Sequence, residues 1–266
     1  MAKRLKIITA GRLVIVGCYT IPTPRSTDRE RRALREISSA AQERMNLKRS
    51  WQKLEVELAA NFTRRDLHLV FTYDDDHLPP SRAEAVKLLK KLIRLLRDHR
   101  KARGQETRYI YVTEQLSAEG GRLHHHMILN STGADLEVIQ SLWPYGAVEL
   151  EPLDLWQGYE ALAKYLTKEP RECGKPESGA RTWAASIGLK KAKVESEIVR
   201  DNLTVAPPPG AIILSSPPPV ENEFGVFTTI KYYLPVRKEG KGARPPRKRK
   251  PDSHASLFGL ETRCNK

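Results

Sequence analysis

The chain has 266 residues, which is enough for one well-filled domain with appendages or for two small domains. It carries 46 lysine and arginine residues against 32 aspartate and glutamate residues, and a net charge of +14 is most often found on proteins that bind a polyanion such as a nucleic acid. No stretch approaches the roughly 20 consecutive apolar residues that cross a bilayer, so we expect no membrane segment.

The N-terminal part is predicted to combine a strand with a helical region. Residues 12–22, RLVIVGCYTIP, are β-branched and lack a small-residue cleavage site, which indicates a strand rather than a signal peptide. Residues 25–60 are rich in strong helix formers with apolar residues at helical spacing, which predicts one or two amphipathic helices. The three cysteines, Cys18, Cys173 and Cys264, are too widely spaced for a zinc ribbon or a disulfide framework and fit a reducing, cytoplasmic setting.

Residues 66–73, DLHLVFTY, are predicted to form the first strand of a central domain. Apolar side chains occupy every second position, which is the period of a half-buried strand. The three aspartates at 74–76 precede two prolines and are predicted to form a turn. Three carboxylates could also bind a metal, but consecutive residues cannot converge on an ion without special loop geometry.

A helix and a hairpin follow in the predicted order. The segment 81–99 begins with a capping box formed by Ser81 and Glu84, and its leucines form one apolar stripe that we expect to lie on a sheet. Residues 108–114, RYIYVTE, and 121–130, GRLHHHMILN, are predicted to pair as an antiparallel hairpin through a glycine-containing turn. A short helix, a strand and a further helix then complete the domain, over residues 134–143, 147–153 and 158–169.

The expected fold class is therefore α+β, with a mostly antiparallel central sheet and flanking helices. The C-terminal part contains a Pro-rich stretch, predicted to be an extended connection, and a returning strand at 226–235. The basic tail cannot bury apolar surface against its own charge and is expected to be disordered. The predicted divisions are an N-terminal strand and helical region (1–60), the central domain (61–175), a C-terminal extension (176–236) and the basic tail (237–266).

The three consecutive histidines are the most distinctive feature of the sequence. Residues two apart in a strand face the same side, so His124 and His126 project together while His125 faces the other way and is predicted to be structural. The hairpin turn brings Glu114 back beside this pair. Two imidazoles and one carboxylate leave positions open on a divalent ion, as a catalytic metal requires. The alternative is that the histidines are only hydrogen-bonded and Glu114 caps a strand end.

A second pair of residues lies in the last predicted helix. Tyr165 and Lys168 are three apart and therefore share one helix face. A phenol, with an ordinary pKa of about 10, needs a nearby cation or base to act as a nucleophile, and Lys168 is placed to stabilise developing charge. Taken alone, the pair would more simply be a tyrosine packed on the sheet and a solvated lysine.

Taken in chain order, these elements resemble the HUH endonucleases, specifically the rolling-circle replication initiators of bacterial plasmids and single-stranded DNA phages. The segment FTYDDDHLP looks like the first motif of the phage initiators, EGGRLHHHMIL like the second and AKYLTK like the third. The resemblance covers about residues 61–170, and three motifs in the correct order are far more specific than any one of them.

This resemblance implies a site and a reaction. Glu114, His124 and His126 would hold Mg²⁺ or Mn²⁺, Tyr165 would be the nucleophile and Lys168 would assist it. The enzyme would nick single-stranded origin DNA, keep the 5′ phosphate on the tyrosine, release a 3′ hydroxyl that primes a polymerase, and later rejoin the strand.

The sequence also departs from the resembled family. Initiators with two active tyrosines have Tyr-x-x-x-Tyr in this helix, whereas Ala161 and Glu169 occupy the positions four residues from Tyr165, which favours a single-tyrosine mechanism. Tyr159 is six residues away and out of line with Tyr165, so we do not expect a second nucleophile. His125 replaces the usual hydrophobic residue, which leaves open a contact with DNA or an influence on a ligand.

Partners and alternatives follow from the same features. The basic helix face at 87–104 and the tail are expected to contact DNA phosphates, although a basic helix face is more often simply solvated. No phosphate-binding loop of an ATP-driven helicase occurs, so strand separation would need a host helicase or supercoiling. The alternatives are an HUH transposase or relaxase, a metal hydrolase of another class, and a DNA-binding protein without catalytic activity.

Overall fold

The computed structural model describes residues 3–21, 48–115, 122–151, 153, 158–168, 183–199, 205–222 and 225–235. The chain divides into two compact units, one formed by Met1–Thr27 with Ala192–Lys266 and the other by Asp28–Lys191. The predicted helical segment before residue 48, the hairpin turn at 116–121 and the basic tail lie outside the described residues. No helix in the described parts of the chain is long and apolar enough to cross a membrane.

The described residues form eleven strands and four helices. The helices are α1 (48–61), α2 (Arg82–Lys101), α3 (Leu136–Leu142) and α4 (Glu160–Leu166). The strands are β1 (Lys3–Ala10), β2 (Leu13–Thr20), β3 (Leu67–Phe71), β4 (Tyr109–Glu114), β5 (His124–Leu129), β6 (Val148–Glu151), β7 (Ala184–Ala185), β8 (Lys193–Val199), β9 (Ile212–Ser215), β10 (Val220–Asn222) and β11 (Gly225–Tyr233). The α+β class with antiparallel sheets is confirmed.

The first unit contains a six-stranded antiparallel sheet in the order β10–β11–β2–β1–β8, with β9 also paired to β11. The strand predicted near the N-terminus and the predicted returning strand are β2 and β11, and they are direct neighbours. The Pro-rich stretch predicted as an extended connection contains β9 and β10. One face of the sheet carries a core of small and β-branched side chains, namely Leu5, Ile7, Val14, Val16, Cys18, Ile230 and Tyr232.

The second unit is built on a five-stranded antiparallel sheet in the order β6–β3–β5–β4–β7. The predicted hairpin is confirmed as β4 and β5, whose register places Tyr109 opposite Leu129 and Glu114 opposite His124. Strand β3 lies on the other side of β5, where Val70 is opposite His126. The histidines therefore lie in the central strand of the sheet.

Helices cover both faces of this sheet. Helices α2 and α3 pack on the face that carries Leu69, Phe71 and Met127. Helices α1 and α4 pack on the opposite face, against Ile110 and Ile128. Strand β3 is consequently buried on both sides, and the prediction that it is half-buried is wrong because no single strand reveals that a second helical layer covers its polar face.

Helix α2 agrees with its sequence signals. Ser81 is the N-cap, and its hydroxyl accepts a hydrogen bond from the Glu84 backbone N–H at 3.3 Å. Its buried stripe includes Leu89, Leu92 and Leu96. Because α2 packs on the sheet face opposite α4, its exposed lysines and arginines do not border the face that carries His126.

Candidate active site

The site lies at one end of the sheet face that α1 and α4 cover. Strand alternation places His124 and His126 on this face, together with Glu114 from the neighbouring strand. Glu114 and His126 are almost fully buried, with side-chain exposures of 2% and 3%, whereas 22% of the His124 side chain is exposed. The cluster therefore opens to solvent on the His124 side.

The three predicted metal ligands converge. Glu114 Oε2 lies 3.0 Å from His124 Nε2 and 3.3 Å from His126 Nε2. One ligand atom from each residue lies within 4.8 Å of the others, which is the spacing expected around a single ion. Glu114 Oε1 is buried, and within the described parts of the chain it has no hydrogen-bond partner. An uncompensated buried carboxylate oxygen beside two imidazole nitrogens fits a divalent cation.

The electrostatics of the cluster favour a carboxylate rather than a carboxylic acid. Burial alone would raise the pKa of Glu114, but hydrogen bonds from His124 and His126 and the charge of Lys168 outweigh it and lower that pKa to about 2. The same hydrogen bond to Glu114 raises the pKa of His124 against the opposing effect of burial. The site thus keeps a negative charge available for a cation at neutral pH.

Helix α4 brings the predicted nucleophile and its lysine to this cluster. The Tyr165 ring lies 5.3 Å from the His126 ring, measured between centroids, and Tyr165 remains 41% exposed. Lys168 Nζ lies 4.1 Å from the centroid of the Tyr165 ring and 3.4 Å from Glu114 Oε2. All five residues singled out from the sequence therefore lie together, with the tyrosine on the accessible side.

Two further residues belong to this site, and the sequence patterns did not identify them. His68 of β3 is buried, with Nε2 3.2 Å from His126 Nδ1 and Nδ1 3.0 Å from Glu151 Oε2. Burial and the neighbouring His126 lower the pKa of His68 to about 4. The alternation of β3 does place His68 away from Leu67 and Leu69, but the sequence does not tell which strand lies beside it.

His125 faces the other side of the sheet, as the strand period predicts. Its Nε2 lies 2.7 Å from the Tyr73 hydroxyl and its Nδ1 lies 2.8 Å from the Thr113 hydroxyl. Its ring also packs edge-on against Trp143. Burial lowers the pKa of His125 to about 3, so it is a neutral, fully hydrogen-bonded core residue. No solvent-exposed surface connects it with DNA, since its exposure is 0%.

The remaining candidates have local structural roles. Tyr159 is buried, and its hydroxyl donates a hydrogen bond to the Phe62 carbonyl, which makes it unsuitable as a second nucleophile. Asp74 accepts a hydrogen bond from the backbone N–H of His77 at 2.9 Å, as in a turn. Asp75 pairs with Arg122. The carboxylates of Asp74 and Asp75 are thus engaged separately and do not converge on one point.

Comparison with known proteins supports a role in replication. Residues 66–170 match the family model described as replication-associated protein ORF2. The matched segment contains β3 through α4 and hence the whole cluster of Glu114, His124, His126, Tyr165 and Lys168. The match is consistent with a replication initiator that acts on DNA. Searches of curated proteins and of solved structures give no match.

Proposed function

We propose, from the replication-associated family match and the geometry of the cluster, that this protein initiates rolling-circle replication by nicking single-stranded origin DNA. The observation that carries the proposal is the position of Tyr165, which is exposed and borders a buried carboxylate and two imidazoles whose ligand atoms converge. An accessible phenol beside a divalent-cation site is the arrangement expected for transfer of a phosphodiester to a tyrosine.

Glu114, His124 and His126 would hold Mg²⁺ or Mn²⁺ in this proposal. The bound ion would polarise the scissile phosphate and offset its negative charge. Two nitrogens and one oxygen from the protein leave positions for phosphate oxygens and water. The buried, ionised Glu114 supplies the anionic ligand, while the partly exposed His124 lies on the side from which a DNA strand can approach.

Tyr165 would carry the covalent step. Its phenolic oxygen forms a bond to phosphorus as the bond from phosphorus to the 3′ oxygen breaks. The phenolic proton passes to solvent and the departing 3′ oxygen takes one up, so the products are a 5′-phosphotyrosine and a free 3′ hydroxyl. The phosphodiester energy is retained in the protein–DNA link, and attack by a 3′ hydroxyl on that link rejoins the strand.

Lys168 would assist by its charge. Its ammonium lies over the Tyr165 ring and beside Glu114, so it favours the phenolate character that develops during attack. The released 3′ hydroxyl would serve a host polymerase as a primer, and a host helicase would open the duplex. We place this activity in the bacterial cytoplasm.

The test is formation of a covalent adduct. Wild-type protein incubated with single-stranded origin DNA labelled on the 3′ side of the nick, in Mn²⁺, should give a labelled species that migrates with the protein, and Tyr165→Phe should give none. Tyr159→Phe is the matched control, because its hydroxyl is buried, and it should form the adduct normally. Absence of an adduct with wild-type protein, or an equal amount with Tyr165→Phe, contradicts the proposal.

The same assay separates the nearest alternative. A transposase or relaxase of the HUH type would form the same phosphotyrosine, so a second DNA strand with a free 3′ hydroxyl is added after nicking. An initiator rejoins the origin strand, whereas a transposase joins the cleaved end to a new target sequence. The replication-associated description of the matched family favours the initiator.

A further inference from the structure

We propose that His68 and Glu151 are positioning residues that hold His126 in the tautomer able to bind the metal. The three residues lie on adjacent strands in the order β6, β3 and β5, and all of them face the side of the sheet that carries Glu114. The inference rests on the proposed function only in that the cluster binds a divalent cation.

The hydrogen-bond chemistry fixes the order of donors and acceptors. The Glu151 carboxylate can only accept, so His68 Nδ1, 3.0 Å away, carries a proton and donates it. A neutral imidazole protonated at Nδ1 has its lone pair on Nε2. That nitrogen lies 3.2 Å from His126 Nδ1 and therefore accepts a hydrogen bond from it.

This arrangement leaves one nitrogen of His126 for a cation. With its proton on Nδ1, His126 presents the lone pair of Nε2, which is the nitrogen 3.3 Å from Glu114 Oε2. Histidines that bind metals usually donate their other ring N–H to an acceptor, which fixes the ring and makes it more basic. His68 would supply this acceptor, and Glu151 would strengthen it by polarising His68.

The other histidine ligand makes the contrast clear. His124 Nδ1 lies 3.1 Å from the Arg122 carbonyl, so the backbone provides its acceptor. His126 has a side chain in the equivalent place. His68 is 3% exposed and Glu151 is partly exposed, so only the outer member of the chain of hydrogen bonds reaches water. The orientation of His126 is therefore the one that substitution of distant side chains can change.

Substitutions at residue 68 test the acceptor separately from the packing. His68→Phe fills the space without an acceptor, and His68→Gln retains an amide oxygen near the position of Nε2. We expect His68→Phe to weaken Mn²⁺ binding about 10- to 100-fold, and His68→Gln to stay within about threefold of wild type. Free Mn²⁺, measured by electron paramagnetic resonance in the absence of DNA, gives the affinities.

Residue 151 has a matched control in the same strand. Glu151→Gln keeps an acceptor but loses the charge, and we expect an intermediate loss of Mn²⁺ affinity. Glu149 is an exposed carboxylate two residues away on the same face of β6, and Glu149→Gln should leave the affinity unchanged. Nitrogen-15 spectra of the histidines, recorded with Zn²⁺ bound, should place the His126 proton on Nδ1 in wild type.

The outcomes distinguish this inference from the proposed function. Wild-type affinity in His68→Phe, or a His126 proton on Nε2 with Zn²⁺ bound, overturns the positioning role. Equal losses in His68→Phe and His68→Gln also overturn it, because they indicate packing alone. A wild type that binds neither ion contradicts both the inference and the metal part of the proposed function. Failure of the Tyr165 adduct with the binding results intact contradicts the nicking activity only.

Discussion

Glu114 and His124 are directly opposite each other in the β4–β5 ladder, and Glu114 Oε2 lies 3.0 Å from His124 Nε2. This contact depends on the register of the hairpin, because a shift by one residue would turn His124 and His126 to the other face of the sheet. On that face His125 already occupies a buried position between Tyr73 and Thr113. The burial of His125 therefore helps to specify the register that assembles the candidate metal site.

The three histidines should differ in their effect on metal binding. We expect His124→Ala and His126→Ala each to abolish Mn²⁺-dependent nicking, because each removes a proposed ligand. His125→Ala should keep most of the nicking activity per folded molecule, while the cavity and the two hydroxyls left unpaired lower the free energy of unfolding by about 3 kcal/mol. Nicking assays and urea unfolding on the same preparations give both quantities.

A result that contradicts this prediction is an equal loss of Mn²⁺ binding in all three variants while each remains folded by circular dichroism. That result would mean that the face on which a histidine lies does not decide its role.

Lys168→Gln should separate metal binding from the covalent step. The Lys168 ammonium is 3.4 Å from Glu114 and repels a cation bound there, so its loss should leave Mn²⁺ affinity equal to or tighter than that of wild type. The rate of adduct formation should fall about 10- to 100-fold, because the developing phenolate loses a neighbouring charge. Lys164→Gln is the control on the same helix, since Lys164 pairs with Glu160 instead. A weaker affinity for Mn²⁺ with an unchanged rate would reverse the assignment.

His125 should contribute to loss of stability in mild acid. Burial lowers its pKa from 6.5 to about 3, so the unfolded chain takes up a proton below about pH 6.5 that the folded protein does not. The stability present above that pH is lost progressively as the pH falls towards 3, and between pH 7 and pH 5 the loss is about 2 kcal/mol. His125→Gln, which can still hydrogen-bond, should lose about 2 kcal/mol less than wild type over that interval.

Denaturant unfolding at pH 7 and pH 5, with chelator present to exclude metal effects, measures this difference. An identical pH dependence in wild type and His125→Gln would show that His125 is not held neutral in the folded protein.

Arg100 should be a major source of stability remote from the site. Its guanidinium is 1% exposed and donates to Asp135 at 2.7 Å and to the side chain and backbone of Asn130. Arg100→Met leaves Asp135 buried without its cation, which should lower the free energy of unfolding by about 3 to 5 kcal/mol. Adding Asp135→Asn should recover part of the loss, because the unpaired charge is removed.

The exposed Arg103 on the same turn of chain is the control, and Arg103→Met should change the free energy of unfolding by less than about 0.5 kcal/mol. Losses of similar size at the two positions would contradict a special role for the buried pair. Mn²⁺ binding should be unchanged in all of these variants, because α2 packs on the sheet face opposite His126.

The sequence by itself determined the local geometry of this site. The period of two in β5 divides the three histidines between two faces, and the spacing of Tyr165 and Lys168 places them on one side of α4. The glycine-containing connection between two strand patterns predicted the hairpin that sets Glu114 opposite His124. These results depend on the backbone of a single element or of two consecutive elements, and side-chain direction within such elements follows from their regular geometry.

Only the tertiary structure decided which elements share a face and which strands are neighbours. Strand β3 lies between β5 and β6, and this order alone places His68 between His126 and Glu151. The packing of α4 on the face of the ligands brings Tyr165 to the metal cluster, whereas α2 covers His125. Such choices depend on burying both faces of the sheet with residues far apart in the chain, and a periodicity within one element carries no information about its neighbours.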